Sequence, residues 1–208
     1  MQPTRLIVLE TEGWSGLDDL SKAGFAQLLD SLRQAGVTLL HRTAHPWIEA
    51  LNQAIANAIT SWENRWAMRN LVDEHPDGGS QRAKNTLARA EAMSPEDYRA
   101  ALLARETAQL CYTRLAPLAD AVITLSCPGP APYWPGDVPG EPMASRPTGD
   151  AVFNYPSSML FAPAVTIPLM SVSGMPVGVQ LMGQQHDDAR VTAMARWLLG
   201  TVSPVVVR

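Results

Sequence analysis

The sequence predicts an α/β fold in which a mixed β-sheet is flanked by helices, and three observations predict it. Runs of branched apolar residues at 5–10, 37–41, 121–125, 165–169 and 177–182 have the length and composition of buried strands. The first two runs are separated by a single amphipathic stretch of about five helical turns, the spacing of a βαβ unit with a right-handed crossover and parallel pairing. The last two are joined across the short segment 171–176, as in a hairpin. The 208 residues read as one α/β domain.

Each element has a local reason. After the first strand, Gly13 and Gly16 mark a turn region. Asp18 opens a helix with Leu17, Leu20, Gly24, Leu28, Leu32 and Ala35 on one stripe, and Gly36 supplies its stop. From Trp47, the positions Ile48, Leu51, Ile55, Ile59, Trp62 and Trp66 recur at helical spacing, so one long helix with this stripe in the core is expected. The segment His75-Pro76-Asp77-Gly78-Gly79-Ser80 is turn chemistry, with a polar stretch after it. Ser94 as N-cap, Pro95 at the first helical position and the carboxylates of Glu96 and Asp97 start a helix that runs to about Leu115. Segment 126–149 is rich in Pro and Gly and has no periodicity, the mark of a pocket-lining or surface loop. Residues 153–160 are short helix or irregular. Asp187 or Asp188 caps a last helix through Leu199, with Val191, Met194, Ala195 and Leu198 facing inward.

Composition narrows the function. With 46% hydrophobic and 17% charged residues the chain is a soluble globular protein, and a net charge of −4 with scattered arginines offers no footprint for nucleic acid. The first continuous apolar run, Leu6-Ile7-Val8-Leu9, is too short for a signal-peptide core or a membrane span, so a cytoplasmic location is expected. Cys111 and Cys127 form no Cys-x-x-Cys pair. His41 and His45 sit at a strand end and before Pro46, where they cannot share a helical face as a zinc site requires. No metal or cofactor is expected.

The motif with the most specific content is Gly174-x-Pro176-x-Gly178-x-Gln180-x-x-Gly183, preceded by Pro163-Ala164-x-x-x-Pro168. This pair of strands resembles the closing strands of the amidase signature enzymes, and the order of elements follows that family along nearly the whole chain. The resemblance implies hydrolysis of a carboxylic amide of a small molecule. It also implies a substrate pocket lined by Ser126, Cys127 and Pro128 at a strand exit, by Tyr133 and Trp134 on the long loop, and by Phe153 and Asn154. The aromatic members favour an apolar or aryl acyl group. Departures are visible: Phe161-Ala162 stands where the family commonly has Gly, Met170 replaces a further Gly, and Leu125-Ser126-Cys127-Pro128 replaces a Thr-Pro exit. In relatives that act on a side-chain amide, an acidic residue three positions before a Thr binds the substrate amine. With Asn154 at the Thr place, that position is Ala151, with Asp150 out of register, which disfavours glutamine.

The reacting groups of that family are missing from the sequence. The resemblance implies a nucleophilic serine, a bridging serine and a lysine base, because a serine needs an adjacent base to react. Lys22 falls on a polar helix side, Lys84 follows the Gly-Gly turn, and Ser157-Ser158 after Pro156 reads as a helix start. No Gly-x-Ser-x-Gly elbow is present; Ser171-Val172-Ser173-Gly174 comes nearest. No catalytic residue is therefore assigned. The chain is expected to be the C-terminal portion of an amidase fold that lacks its N-terminal part, with core and pocket wall but no triad. Its expected partner is that missing half or a second copy. The alternative is a non-catalytic binding or assembly module derived from the same fold.

Overall fold

Six strands build one mixed sheet in the order β2-β1-β3-β5-β4-β6. They are β1 (Arg5–Val8), β2 (Thr38–Leu40), β3 (Ala121–Leu125), β4 (Ala164–Val172), β5 (Met175–Met182) and β6 (Val205–Val207). The computed structural model describes residues 1–52, 56–136 and 151–208. Residues 137–149 of the expected loop, Ile55 of the expected stripe, and Asp150 lie outside the described residues. β1 pairs in parallel with both β2 and β3, and β4 with β6, while β5 runs antiparallel to β3 on one side and to β4 on the other.

Alternation along the strands divides the core in two. Leu6, Val8, Ile123, Leu125, Val179 and Leu181 face helices α1 (Asp19–Gln34) and α7 (Asp188–Thr201). Ile7, Leu9, Val122 and Met182 face α2 (Pro46–Asn52), α5 (Pro95–Leu115) and α6 (Tyr155–Leu160). The result is a sheet between two helical layers. Outside α5 and α6 lie α3 (Ala56–Glu74) and α4 (Gln81–Glu91).

Helix ends follow the sequence closely. The Asp18 carboxylate accepts from the Ser21 amide at 2.7 Å, and Gly36 adopts φ 88° as the chain leaves α1, with the Val37 amide donating to Leu32. The Ser94 hydroxyl and the Asp97 carboxylate form a reciprocal capping box on α5. Asp187 occupies the N-cap position of α7, yet its carboxylate caps no amide and instead lies 3.7 Å from Arg190.

Several expectations need correction. Leu20 is 40% exposed, because the buried face of α1 is Ser21, Gly24, Phe25, Leu28, Leu29 and Leu32, a stripe rotated past it. Ile48, Leu51 and Ile59 are buried, but Trp66 is 67% exposed. The reason is that α3 packs on α4, α5 and α6, so the aromatic end of the stripe has no second layer above it. Trp62 instead stacks on Tyr98 with ring centres 5.4 Å apart, under the Arg65 guanidinium. The polar stretch after Gly79 is the helix α4, capped by Ser80 and burying only Leu87 and Ala90. The β4–β5 turn is tighter than the 171–176 expectation: Ser173 and Gly174 carry φ of 50° and 80°, the pattern of a type I′ turn, and Met175 and Pro176 are already in the strand.

One carboxylate ties three elements together. Asp120, just before β3, accepts from the Thr4 and Arg5 amides at 2.7 and 3.0 Å and pairs with Arg190 of α7. Burial alone would raise its pKa, but the two amides and the Arg190 charge outweigh it and hold the carboxyl below its ordinary value. A depressed folded-state pKa means that Asp120 contributes its full stability above the unfolded value of about 3.9 and loses it as the pH falls through the folded value. Asp120→Asn is expected to cost about 1–3 kcal/mol near neutral pH. It should also flatten the acid limb of the stability profile, measured by urea unfolding at stepped pH; an unchanged acid limb would remove Asp120 from this role.

Candidate functional site

The sheet brings polar residues into one row on the face that carries α5 and α6. Thr124 of β3 lies opposite Gln180 of β5, and Gln180 lies opposite Thr166 of β4. Two residues on, the pairing continues as the Ser126 amide donates to the Gly178 carbonyl at 2.9 Å. Gly178 is bare for a reason. A Cβ there would overlap the Ser126 hydroxyl and lie 2.6 Å from the Thr166 methyl. The Asn154 side-chain amide donates to the Ser126 carbonyl at 3.0 Å, fixing the strand exit against the start of α6.

The exit itself is held from the opposite layer. Gly129 is buried with φ 145°, and a side chain there would meet Asp18 Oδ2 and Ser21 Oγ at 3.0 and 3.1 Å. The Cys127 thiol donates to the Gly129 carbonyl. For Asp18, burial raises the pKa, and the hydrogen bonds from Ser21 more than offset it, so the carboxyl stays ionised at the base of the loop. At the other end of the row, the Tyr112 hydroxyl lies 3.1 and 2.9 Å from the Met182 and Gly183 carbonyls and locks α5 onto β5. Burial, with the Asp187 charge behind it, holds that phenol well above its ordinary pKa, so it acts only as a donor.

Of the residues singled out from the sequence, Ser126, Cys127 and Pro128 lie half-buried at the β3 exit, and Asn154 joins them. Phe153 is fully buried in the core on the α1 side, against Gly13, and so supports the site from beneath. Tyr133 and Trp134 are 89% and 46% exposed on the loop. Ser157 donates to the Asn154 carbonyl inside α6. Lys84 donates to the Pro76 carbonyl at 2.6 Å, and Lys22 lines a cavity of about 220 Å³ with Trp14, Phe25 and His41 on the α1 side of the sheet. Neither Ser157 nor Ser158 has a lysine partner among the described residues.

Sequence reading missed Thr124 and Thr166, and it took Gln180 as a motif residue without a place in the site. The signal was available: each is the polar residue inside an otherwise apolar strand, in Ala-Val-Ile-Thr-Leu, Val-Gly-Val-Gln-Leu-Met and Ala-Val-Thr-Ile. Thr124 and Gln180 are buried, and Thr124 Oγ1 and Gln180 Nε2 have no hydrogen-bond partner among the described residues. Ser126, Thr166, Asn154, Thr124 and Gln180 carry hydroxyls and carboxamides and no ionisable group. Such a surface can donate and accept hydrogen bonds to a neutral ligand but cannot move a proton at neutral pH.

No protein-family model matches the chain. Over 77 residues, 37% of this chain and 16% of the relative, it is 34% identical to a subunit of the glutamyl-tRNA(Gln) amidotransferase of Pseudothermotoga lettingae. Among solved structures, an amidase superposes with a TM-score of 0.77 at 23% identity, covering 98% of this chain and 46% of its own. A bacterial aryl acylamidase of the amidase signature family gives 0.60 at 15% identity, over 93% and 42%. Allophanate hydrolase of Kluyveromyces lactis gives 0.67 at 15% identity, over 96% and 32%. The chain therefore carries the amidase-signature fold, and it spans less than half the length of each of these proteins.

Gly178→Ala tests the close approach at the centre of the site. It is expected to destabilise the fold by about 1–3 kcal/mol through overpacking, with part of the loss recovered in Gly178→Ala/Ser126→Gly because the nearest obstacle is then gone. Additive losses in thermal melts would show that Ser126 and Gly178 do not interact.

Proposed function

We propose that this chain is part of an amidase that hydrolyses a carboxylic amide by the serine, serine, lysine route, and that it forms the core and one wall of the substrate pocket while further polypeptide supplies the reacting groups. One observation carries the reading: the fold of an amidase matches 98% of this chain yet extends over more than twice its length, and the polar patch on this part can bind but cannot ionise.

Within this reading each group has a task. Ser126 and Asn154, joined by their hydrogen bond, present a hydroxyl and a carboxamide at the pocket wall. Thr166, exposed on the same face, adds a second hydroxyl, and its methyl packs with the Ser126 hydroxyl over the bare Gly178. Cys127 and Pro128 continue the wall, and the exposed Tyr133 and Trp134 offer an apolar surface for an alkyl or aryl acyl group. With Ala151 in place of an acidic residue, a substrate carrying a free amine, such as glutamine, is disfavoured. Activation of the nucleophile requires a base that the described residues of this surface do not supply.

The purified protein is expected to give no turnover of 4-nitroacetanilide or butyramide above a heat-treated control. Turnover is expected when it is co-expressed with the polypeptide encoded directly upstream. Turnover by this chain alone that disappears in Ser158→Ala would contradict the reading. Amide binding without turnover in any combination would favour a non-catalytic binding module.

A further inference from the structure

The cavity of about 220 Å³ beside α1 lies on the other face of the sheet from the polar row around Gly178, where β1 and β2 end. Val8, Phe25 and Leu29 give it an apolar floor. The half-buried Trp14 forms one wall and packs edge-to-face with Phe25, ring centres 5.4 Å apart. Five charged or titratable side chains ring this floor, and three of them satisfy one another: Arg33 donates to Asp30 at 2.6 Å and lies 3.0 Å from His41 Nε2. Glu10 and Lys22 are different. Both are half-buried, and neither side chain has a hydrogen bond or an ion pair, with the other or with any other described residue.

A carboxylate and an ammonium held apart over an apolar floor match a ligand that carries both charges and an apolar body, because each partly desolvated charge then gains an opposite one. The surroundings give the ligand a direction. Past Glu10 and Trp14 lies a second cavity of about 350 Å³, where Glu12 is also unpaired and the Arg42 guanidinium is taken up by Glu49. The Glu10 side is therefore negative, and the free positive charge is at Lys22. A volume below the range of about 300–1,000 Å³ that holds drug-sized ligands suits a molecule of about a dozen non-hydrogen atoms.

We propose that this cavity binds a free α-amino acid with an aromatic side chain: Glu10 holds the ammonium, Lys22 holds the carboxylate, and the ring lies on Val8, Phe25 and Leu29 against Trp14. The proposal does not rest on the amidase reading, since none of these residues belongs to the polar row. The two sites take different molecules, because the row disfavours a substrate with a free amine.

Isothermal titration of the purified protein with L-phenylalanine, 3-phenylpropionate and 2-phenylethylamine tests it. L-phenylalanine is expected to bind at one site per chain and more tightly than either fragment. Lys22→Gln is expected to weaken L-phenylalanine and 3-phenylpropionate by about fivefold or more and to leave 2-phenylethylamine unchanged. Glu10→Gln is expected to weaken L-phenylalanine and 2-phenylethylamine to the same extent and to leave 3-phenylpropionate unchanged. A misfolded variant would lose all three ligands, so the crossed pattern reports the two charges alone. Ala26 is exposed on the cavity lining, and Ala26→Phe is expected to abolish binding by filling the space. No binding of L-phenylalanine at about 10 mM, equal affinity for all three ligands, or binding that survives Ala26→Phe would each overturn the proposal.

Discussion

β5 is the strand on which the rest of the structure depends. It is the one described strand that runs against both of its neighbours, and it joins the parallel β2-β1-β3 unit to the β4-β6 pair. Its odd-numbered residues Val177, Val179 and Leu181 are buried toward α1 and α7. Full burial of each side chain of this kind contributes about 1.5–3 kcal/mol. Its even-numbered residues face the other layer and change character along the strand, from Gly178 to Gln180 to Met182. That gradient converts an apolar core at the Met182 end, sealed by Tyr112, into a hydrogen-bonding surface at the Gly178 end. A one-residue slip would exchange the two faces, so the hairpin turn at Ser173-Gly174 and the Gly178 contact with Ser126 fix the register on which the site depends.

The polar row has an energetic cost. An unpaired buried amide or hydroxyl costs about 1–3 kcal/mol, and both Thr124 and Gln180 sit where Val or Leu would pack without penalty. Departures from internal consistency of this kind collect at functional positions. The cost is tolerated because the surroundings are well anchored: Asp120 clamps the starts of β1 and β3 to α7, and the α5 capping box and Tyr112 fix the helix that covers the apolar end. The sheet ends in β2 and β6, three residues each, which leaves short edges.

Most of this fold was legible because its signals are local. The strand at 121–125, the N-cap at Ser94, the Gly36 stop and the inward face of α7 depend on spacing or on a single residue type, and each stands where the sequence puts it. What failed needed neighbours. Trp66 carries the periodicity of a core residue, yet whether it is covered depends on which helix lies above α3. Leu20 misses the stripe by a rotation that periodicity alone does not resolve. β6 is only three valines after Ser203-Pro204, given strand form by the Met170–Val172 edge it joins. At the site, Ser126 and Asn154 were recoverable from the strand exit, whereas Thr124, Gln180 and Thr166 become a unit only through the register of three strands distant in sequence.

Under the proposed function, the β3-β5-β4 face around Gly178 is an interior wall of a larger amidase. Thr166 is exposed on that face in this chain, so a cysteine in its place reports on what covers it. The direct measurement is the rate at which Thr166→Cys, in a Cys111→Ser/Cys127→Ser background, reacts with a thiol reagent, for the protein alone and for its complex with the upstream polypeptide. Reaction near the rate of a free thiol is expected in the protein alone, with slowing by at least an order of magnitude in the complex. Equal rates in the two would contradict it.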